Sequence, residues 1–350
     1  MDEFMDPPFD RNQQSAAVPV NQTSHNDSKC DGFNYHSNLV PALYLLMFPV
    51  ALLLNSVAAW VSLHLKSTST FVVYLKNLVA ADIIMTLIIP IKAARDLPGT
   101  PKTVYILSCY LSSIFYSTQY TCITLLAFIS LDRFFKIMMP QSKFFGQNLT
   151  FSKLASGSVW VILLGGSALP NIILSNKSVA NITVISSCMK LKGQAGIEVH
   201  KKIVIYLNVF FWLVSVVIAV CYICITNKVI QSFRNSGSSN NQGKQKIKLR
   251  VFLVLIVFFV SFGPYHIYRI PYTFQQVKSS VTGNPDKSIR FVKELTLWLA
   301  STNICMDPLL YVFLCREFKD KLMSMMKKLS ISFQVALAGK AGGTSTQSGV

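Results

Sequence analysis

The stretch KIVIYLNVFFWLVSVVIAVCYICITN, residues 202–227, holds a single charged residue, Lys202, at its very start. Coiled as a helix, it is long enough to cross a hydrocarbon core of roughly 30 Å. Six more predominantly apolar blocks follow the same pattern: 39–64, 71–94, 105–135, 154–174, 250–273 and 291–314. They leave short loops and two tails, so the chain is expected to be an all-α membrane protein, a seven-transmembrane-helix bundle forming one domain over 39–328. Composition excludes an ordinary soluble domain. The 350 residues are 51% hydrophobic and only 14% charged, with a mean hydropathy of +0.43, whereas soluble domains carry roughly a quarter charged residues.

Segment 1–38 is polar and begins acidic (Asp2, Glu3, Asp6, Asp10). It lacks a basic-then-apolar leader, so the first span is expected to act as its own insertion signal. Segment 329–350, rich in Gly, Ser, Thr and Ala, reads as a disordered tail. Lys66, Lys76, Arg133, Lys136, Lys143, Lys153, Lys228 and Arg234 crowd the short loops on one side, with Arg316, Lys319 and Lys321 in the tail. That bias puts the C-terminus in the cytoplasm and the N-terminus outside, as expected of a multi-pass plasma-membrane protein. The Asn-x-Ser/Thr acceptors Asn21, Asn26, Asn176 and Asn181 then lie outside, and Asn148 lies inside, where no glycan is expected. Cys109 and Cys188 both face the oxidising side and are expected to form a disulfide. Cys315, at the inner end of the seventh span, is either a palmitoylation candidate or a plain buried thiol. Cys30 has no evident partner.

Ionisable groups inside a bilayer are costly and point to function. Asp82, Asp307, Asn55 and Asn303 sit at comparable depths in helices 2, 7, 1 and 7. They are expected to satisfy one another around a hydrated pocket, as a static polar plug or as a cation- or proton-sensitive hinge. Pro308, which removes a helix hydrogen bond beside Asp307, favours the hinge. Asp132-Arg133-Phe134 ends helix 3, Phe262-Gly-Pro264 interrupts helix 6, and Asp307-Pro308-Leu-Leu-Tyr311 ends helix 7.

These residues resemble the rhodopsin-like (class A) family of G-protein-coupled receptors, over roughly 39–328. Asn55 resembles the helix-1 asparagine and Leu78-x-x-x-Asp82 the helix-2 sodium-site motif. Cys109 and Cys188 resemble the shared disulfide, and Trp160 the helix-4 tryptophan. Asp132-Arg133-Phe134 is similar to the Asp-Arg-Tyr switch, Phe262-x-Pro264 to Trp-x-Pro, and Asp307-Pro-x-x-Tyr311 to Asn-Pro-x-x-Tyr. The stretch 316–327 resembles a short amphipathic helix 8. The resemblance implies a transducer, not an enzyme, with Asp132, Arg133, Phe262, Pro264, Asp307, Pro308 and Tyr311 as its activation and G-protein switch. It also implies an allosteric sodium ion near Asp82, with Asn55, Asn303 and Asp307 around it. Within the family, Tyr74-Leu-Lys-Asn77, Phe115-Tyr116, Leu169–Asn176, Pro264–Thr273 and Lys293–Trp298 are similar to the Gi-coupled purinergic receptors for ADP and UDP-sugars. That likeness implies Gi signalling and a nucleotide pocket at Tyr116, Tyr120, Asn171, Lys192, His200, His266, Arg269, Tyr272 and Lys293.

The residue chemistry on the outer side agrees with an anion. Lys92, Arg95, Lys102, Lys177, Lys190, Lys192, Arg269, Arg290 and Lys293 face few acids there, and a cleft of one sign concentrates the opposite ion. Lys201, Lys202 and Lys278 read instead as snorkelling to lipid phosphates. A guanidinium grips phosphate bidentately and a lysine adds a point charge. Tyr116 and Tyr120 are candidates for stacking on a base, or for ordinary packing. The subgroup pattern is broken in three places. The loop 274–290 has no Cys, helix 3 is one residue short between Cys109 and Ser112, which is expected to loosen its outer turn, and Val204 replaces an asparagine. Lys244-Gln-Lys246 puts no acid opposite Arg133, which predicts raised basal activity. A receptor for another anion, such as a lysophospholipid, is the alternative. A transporter would show internal repeats. Ser348-Gly-Val350 resembles a tail for a PDZ protein.

Overall fold

The computed structural model describes residues 35–140, 148–177, 187–235, 241–282 and 287–342. Asn21, Asn26, Cys30, Lys143, Asn181 and Ser348-Gly-Val350 lie outside these ranges. From Tyr35 onward the described residues form one unit. Its helices are α1 (Tyr35–Leu63), α2 (Thr70–Arg95), α3 (Lys102–Met138), α4 (Leu149–Ile173), α5 (Gln194–Asn235) and α6 (Asn241–Thr282). The seventh, α7, has two segments, Lys287–Ser301 and Asn303–Leu314, and α8 is Arg316–Gly342. No strand occurs among the described residues, as expected where lipid offers no partner for open backbone groups.

Five helices, α1, α2, α4, α5 and α6, are long and apolar enough to cross a membrane on composition alone. α3 is more polar because its neighbours are helices rather than lipid. It packs against α2, α4 and α5 and buries Ser112, Ser117, Thr118, Gln119, Thr121 and Thr124. Several of these hydroxyls turn back onto their own helix, as Thr121 does to the Ser117 carbonyl (3.1 Å) and Thr124 to that of Tyr120 (2.7 Å). On α5 the two faces separate cleanly. Phe211, Val214 and Ile218 are buried, while Tyr206, Leu213, Val216 and Ile223 are exposed and form a lipid-facing side.

Several expectations are corrected. Pro264 does not interrupt α6, which runs unbroken through both Pro264 and Pro271. Asn208 of α5 braces this stretch by donating to the His266 carbonyl at 2.7 Å. α3 is one continuous helix from Lys102, so the missing residue near Cys109 leaves no loosened turn. The irregular outer helix is α4, which carries a π-helical turn at Leu164–Ala168 just before Pro170. α8 turns 94° from α7 and extends to Gly342. The helical part of 329–350 therefore replaces the disorder its composition suggests, because 330–338 mixes serines with Val, Ala and Leu and contains no proline.

Two tethers fix the ends. Cys109 and Cys188 are disulfide-bonded, tying the start of α3 to the loop before α5. Trp160 Nε1 donates to Asn77 Oδ1 at 3.0 Å, joining α4 to α2. Asn148 caps α4, its Oδ1 accepting from Thr150 N (2.9 Å) and Phe151 N (3.3 Å), while Asn176 is exposed. Cys315 is buried, its sulfur accepting from the Phe318 N–H, and burial pushes its thiol pKa up. Cys188→Ser should cost about 2–4 kcal/mol by freeing a long loop. The purified variant should unfold several degrees lower than the parent in a thermal melt, while Cys224→Ser, at an unbonded cysteine, should not.

Candidate functional site

At the disulfide end of the bundle the decisive side chain is Arg269 on α6. It is 5% exposed. Its guanidinium carbon lies 5.3 Å from the ring centroids of Tyr116 and Tyr120 and 5.4 Å from that of Tyr265. Nη1 donates to the Tyr120 hydroxyl at 2.7 Å. Among the described residues no acid forms an ion pair with Arg269. Aromatic faces ease the burial of a cation, but they do not neutralise it.

The partners of Tyr120 run in one direction. His266 Nδ1 lies 2.8 Å from the Phe262 carbonyl, which can only accept, so Nδ1 carries a proton. With Tyr120 donating, the 2.9 Å contact to His266 Nε2 completes a chain. It runs from Arg269 N–H to Tyr120 oxygen, from Tyr120 O–H to His266 Nε2, and from His266 N–H to the Phe262 carbonyl. His266 also stacks on Phe211 with centroids 3.6 Å apart. Tyr120 is 0% and His266 1% exposed. Both are packed behind Arg269 and orient it, the packing role being one of the two that the spacing of Tyr116 and Tyr120 left open.

On the α7 side, Lys293 Nζ donates to the Tyr116 hydroxyl (3.0 Å) and to Glu294 Oε1 (2.9 Å), and lies 5.0 Å from the Tyr272 ring centroid. Tyr116 and Tyr265 are parallel, with centroids 6.4 Å apart. Glu294 also meets Arg95 (3.5 Å) and Lys92 (3.6 Å). Lys92 sits among the rings of Tyr44, Phe115 and Tyr116. Asp96 binds Arg95 at 2.7 Å and Arg290 at 3.5 Å. Four cations, Lys92, Arg95, Arg290 and Lys293, thus share two carboxylates, and with Arg269 beside them the region keeps a positive excess.

A third group comes from α4, α5 and the intervening loop. Lys192 Nζ donates to the Asn171 carbonyl (2.7 Å), Asn171 Oδ1 (3.2 Å) and Ser175 Oγ (2.9 Å). His200 Nδ1 lies 2.9 Å from the same Oδ1. Asn171 Nδ2 donates to the Ser167 carbonyl, which fixes the amide so that Oδ1 faces both neighbours. Burial pulls the Lys192 pKa down to about 8. His200 is within electrostatic reach of Lys192, Arg269 and Lys293. Lys201 covers the Phe274 ring at 4.6 Å.

In the middle of the bundle the four polar groups do not form one closed network. Asn303 Nδ2 donates to Asp307 Oδ2 (2.8 Å), but Asn55 bonds the backbone of Ala51 and Ile304. Asp82 accepts instead from Tyr311 (2.7 Å) and faces the Cys122 thiol. Asp307 Oδ1 and both amide atoms of buried Gln119 have no protein partner. A small cavity here is lined by Asp82, Gln119, Cys122, Phe262 and Asn303. At the far end, Asp132 is bonded to Thr70 and Lys136, and Arg133 lies on the Phe71 ring.

The sequence matches the family described as 7 transmembrane receptor (rhodopsin family) over residues 54–311. The chain belongs to that family. Receptors in it are membrane transducers rather than enzymes, and this one is a multi-pass plasma-membrane protein that works with a G protein. It is 42% identical to the human purinoceptor 13, over 84% of this chain and 83% of that one. It is 36% identical to the bovine purinoceptor 14, over 85% and 87% of the two chains. It shares 36% identity with the mouse G-protein coupled receptor 87, over 89% and 84%. The receptor is accordingly of the purinoceptor type.

The receptor brings Tyr116, Arg269, Tyr272 and Lys293 together at one mouth, and Asn171, Lys192 and His200 at its α4–α5 side. Sequence reasoning counted Lys92 among the outer cations without giving it a site role, and gave none to Glu294, Tyr265 or Asn208. Glu294 had a signal, being one acid within a basic span, whereas Asn208 looks like any asparagine in an apolar helix. Because Lys192 loses its charge above about pH 8, affinity for an anionic agonist should fall as pH rises from 7 to 9. Lys192→Arg should flatten that profile in radioligand binding.

Proposed function

We propose that this receptor binds an extracellular nucleotide or nucleotide sugar in the basic mouth and signals through a Gi-type heterotrimer. The observation that carries the reading is the buried Arg269 guanidinium, surrounded by tyrosines and paired with no acid among the described residues. Such a cation is stabilised when an anion arrives. A diphosphate would meet Arg269 through two hydrogen bonds and Lys293 through a point charge, and a base or ribose would reach toward His200 and Asn171. The names of the relatives, purinoceptors 13 and 14, support the same ligand class. The disulfide end is then extracellular, with the N-terminus outside and the C-terminus, with its candidate PDZ tail, in the cytoplasm.

The ligand draws α6 and α7 together because Arg269 and Lys293 lie on different helices, favouring one member of a pre-existing pair of states. Movement of Arg269 passes through Tyr120 and His266 to the Phe262 carbonyl, two residues before Pro264. A sodium ion near Asp82 fits the donor set in the middle of the bundle. Asp82, Asp307 Oδ1, the Gln119 carbonyl and the Asn303 side chain supply oxygens, and two buried carboxylates call for a counter-charge.

Arg269→Ala should lower the potency of ADP or UDP-sugars by about 100-fold or more, near 2.7 kcal/mol for two charge-assisted hydrogen bonds, at normal surface expression. Undiminished potency, or displacement of the agonist by a lysophospholipid alone, would sink the nucleotide reading. Replacing sodium chloride with choline chloride should raise agonist affinity several-fold in the wild type. In Asp82→Asn the two salts should give equal affinities.

A further inference from the structure

Gly196, the third residue of α5, is buried although Ala195 before it is exposed. A Cβ at this position would lie 2.7 Å from the carbonyl oxygen of Leu174, the residue that closes α4, and 3.2 Å from the Cβ atoms of Leu174 and Lys192. Ordinary contact begins at 3.4 Å, so one methyl group would drive the two backbones apart by about 0.7 Å, the difference between 3.4 and 2.7 Å. Gly193, Gly165 and Gly166 have open space at the same place. The end of α4 is held from behind. The Tyr110 hydroxyl of α3 donates to the Ser175 carbonyl at 2.9 Å, and Lys177 N donates to the Leu191 carbonyl at 3.0 Å. Cys188, three residues before Leu191, is bonded to α3. The displacement therefore falls on α5 and on Lys192.

His200 follows Gly196 by four residues and shares its face of α5. One turn deeper than the Gly196–Leu174 contact, His200 Nδ1 lies 2.9 Å from Asn171 Oδ1. A parting of about 0.7 Å would carry that contact to about 3.6 Å, beyond hydrogen-bond range. Lys192, pushed through its own Cβ, would leave the Asn171 carbonyl and Ser175 Oγ, now 2.7 and 2.9 Å from its Nζ. We propose that Gly196 is a positioning residue for the ligand site. Its bare α-carbon closes the seam between α4 and α5, and the closed seam holds Asn171, Lys192 and His200 as one wall of the mouth. The wall's use for a ligand rests on the nucleotide reading, whereas the seam itself does not. Inside an open helix alanine is the better residue. At 196 it is the worse one, because the space is taken.

The test has two arms, both on the full-length receptor in nanodiscs. The first uses no ligand. Acetylation of Lys192 by acetic anhydride is followed by mass spectrometry across pH, which reads the midpoint at which its amine loses the proton. Burial holds that midpoint at about 8 in the wild type. Gly196→Ala admits water, so the midpoint should rise by about one unit or more, while that of exposed Lys202 stays where it is. In the second arm, Gly196→Ala should weaken ADP binding by about ten-fold. In an Asn171→Ala background, where the wall is already broken, the same change should cost less than about two-fold. Leu174→Gly loosens the seam from the α4 side and should raise the Lys192 midpoint in the same way, which keeps the test open if Gly196→Ala does not reach the membrane. An unmoved Lys192 midpoint, or an equal loss of ADP affinity in both backgrounds, would overturn the proposal. A wild type that binds neither ADP nor UDP-sugars would end the nucleotide reading, and the Lys192 midpoint would then decide the seam alone.

Discussion

Arg269 is held out of water by three tyrosine rings with no carboxylate paired to it among the described residues, and much of the disulfide end of the receptor is arranged around that fact. Buried charge is tolerated only when hydrogen bonds and nearby dipoles replace water. Tyr120 supplies the hydrogen bond, His266 fixes the Tyr120 hydroxyl, and Phe211 and Asn208 fix His266 from α5. The neighbouring cations differ, because Lys293, Lys92 and Arg95 share Glu294. The mouth therefore combines a neutralised flank on α2 and α7 with an unneutralised centre on α6.

The bilayer explains why so polar a core survives. In lipid, apolar contact between helices brings little, and close packing with interhelical hydrogen bonds takes over. The receptor uses such bonds at three levels. Trp160 meets Asn77 between α4 and α2, Asn208 meets the His266 backbone between α5 and α6, and Tyr311 meets Asp82 between α7 and α2. α3 has a polar face at almost every level, which is why composition alone undersells it as a membrane span.

One group of unmatched polar atoms lies at mid-depth, apart from others nearer the disulfide end such as Ser108 Oγ and Glu294 Oε2. Asp307 Oδ1, Asn55 Oδ1 and the Gln119 amide lie near the middle of the bundle, below the chain that links Arg269 to Phe262 and above Tyr311. Buried polar atoms without protein partners call for water or an ion, and this layer lies between Arg269 at one end of the bundle and Arg133 at the other.

The sequence by itself determined the seven spans, the Cys109–Cys188 tether and the presence of Arg269, Lys293 and Asp132-Arg133 at the ends, because length, hydropathy and redox side depend only on local composition. It also carried the family motifs. Partner choice was different. That Tyr120 bonds both Arg269 and His266, that Asp82 is met by Tyr311 rather than Asn55, and that Asp132 pairs with Lys136 were decided only by tertiary structure. A titratable side chain can reach any of several neighbours within a few ångströms, and helix rotation and tilt select among them. The same limit hid the continuity of α6 through Pro264, since whether a proline breaks a helix or merely bends it depends on packing from other helices, and here Asn208 of α5 bonds the His266 carbonyl two residues beyond the proline.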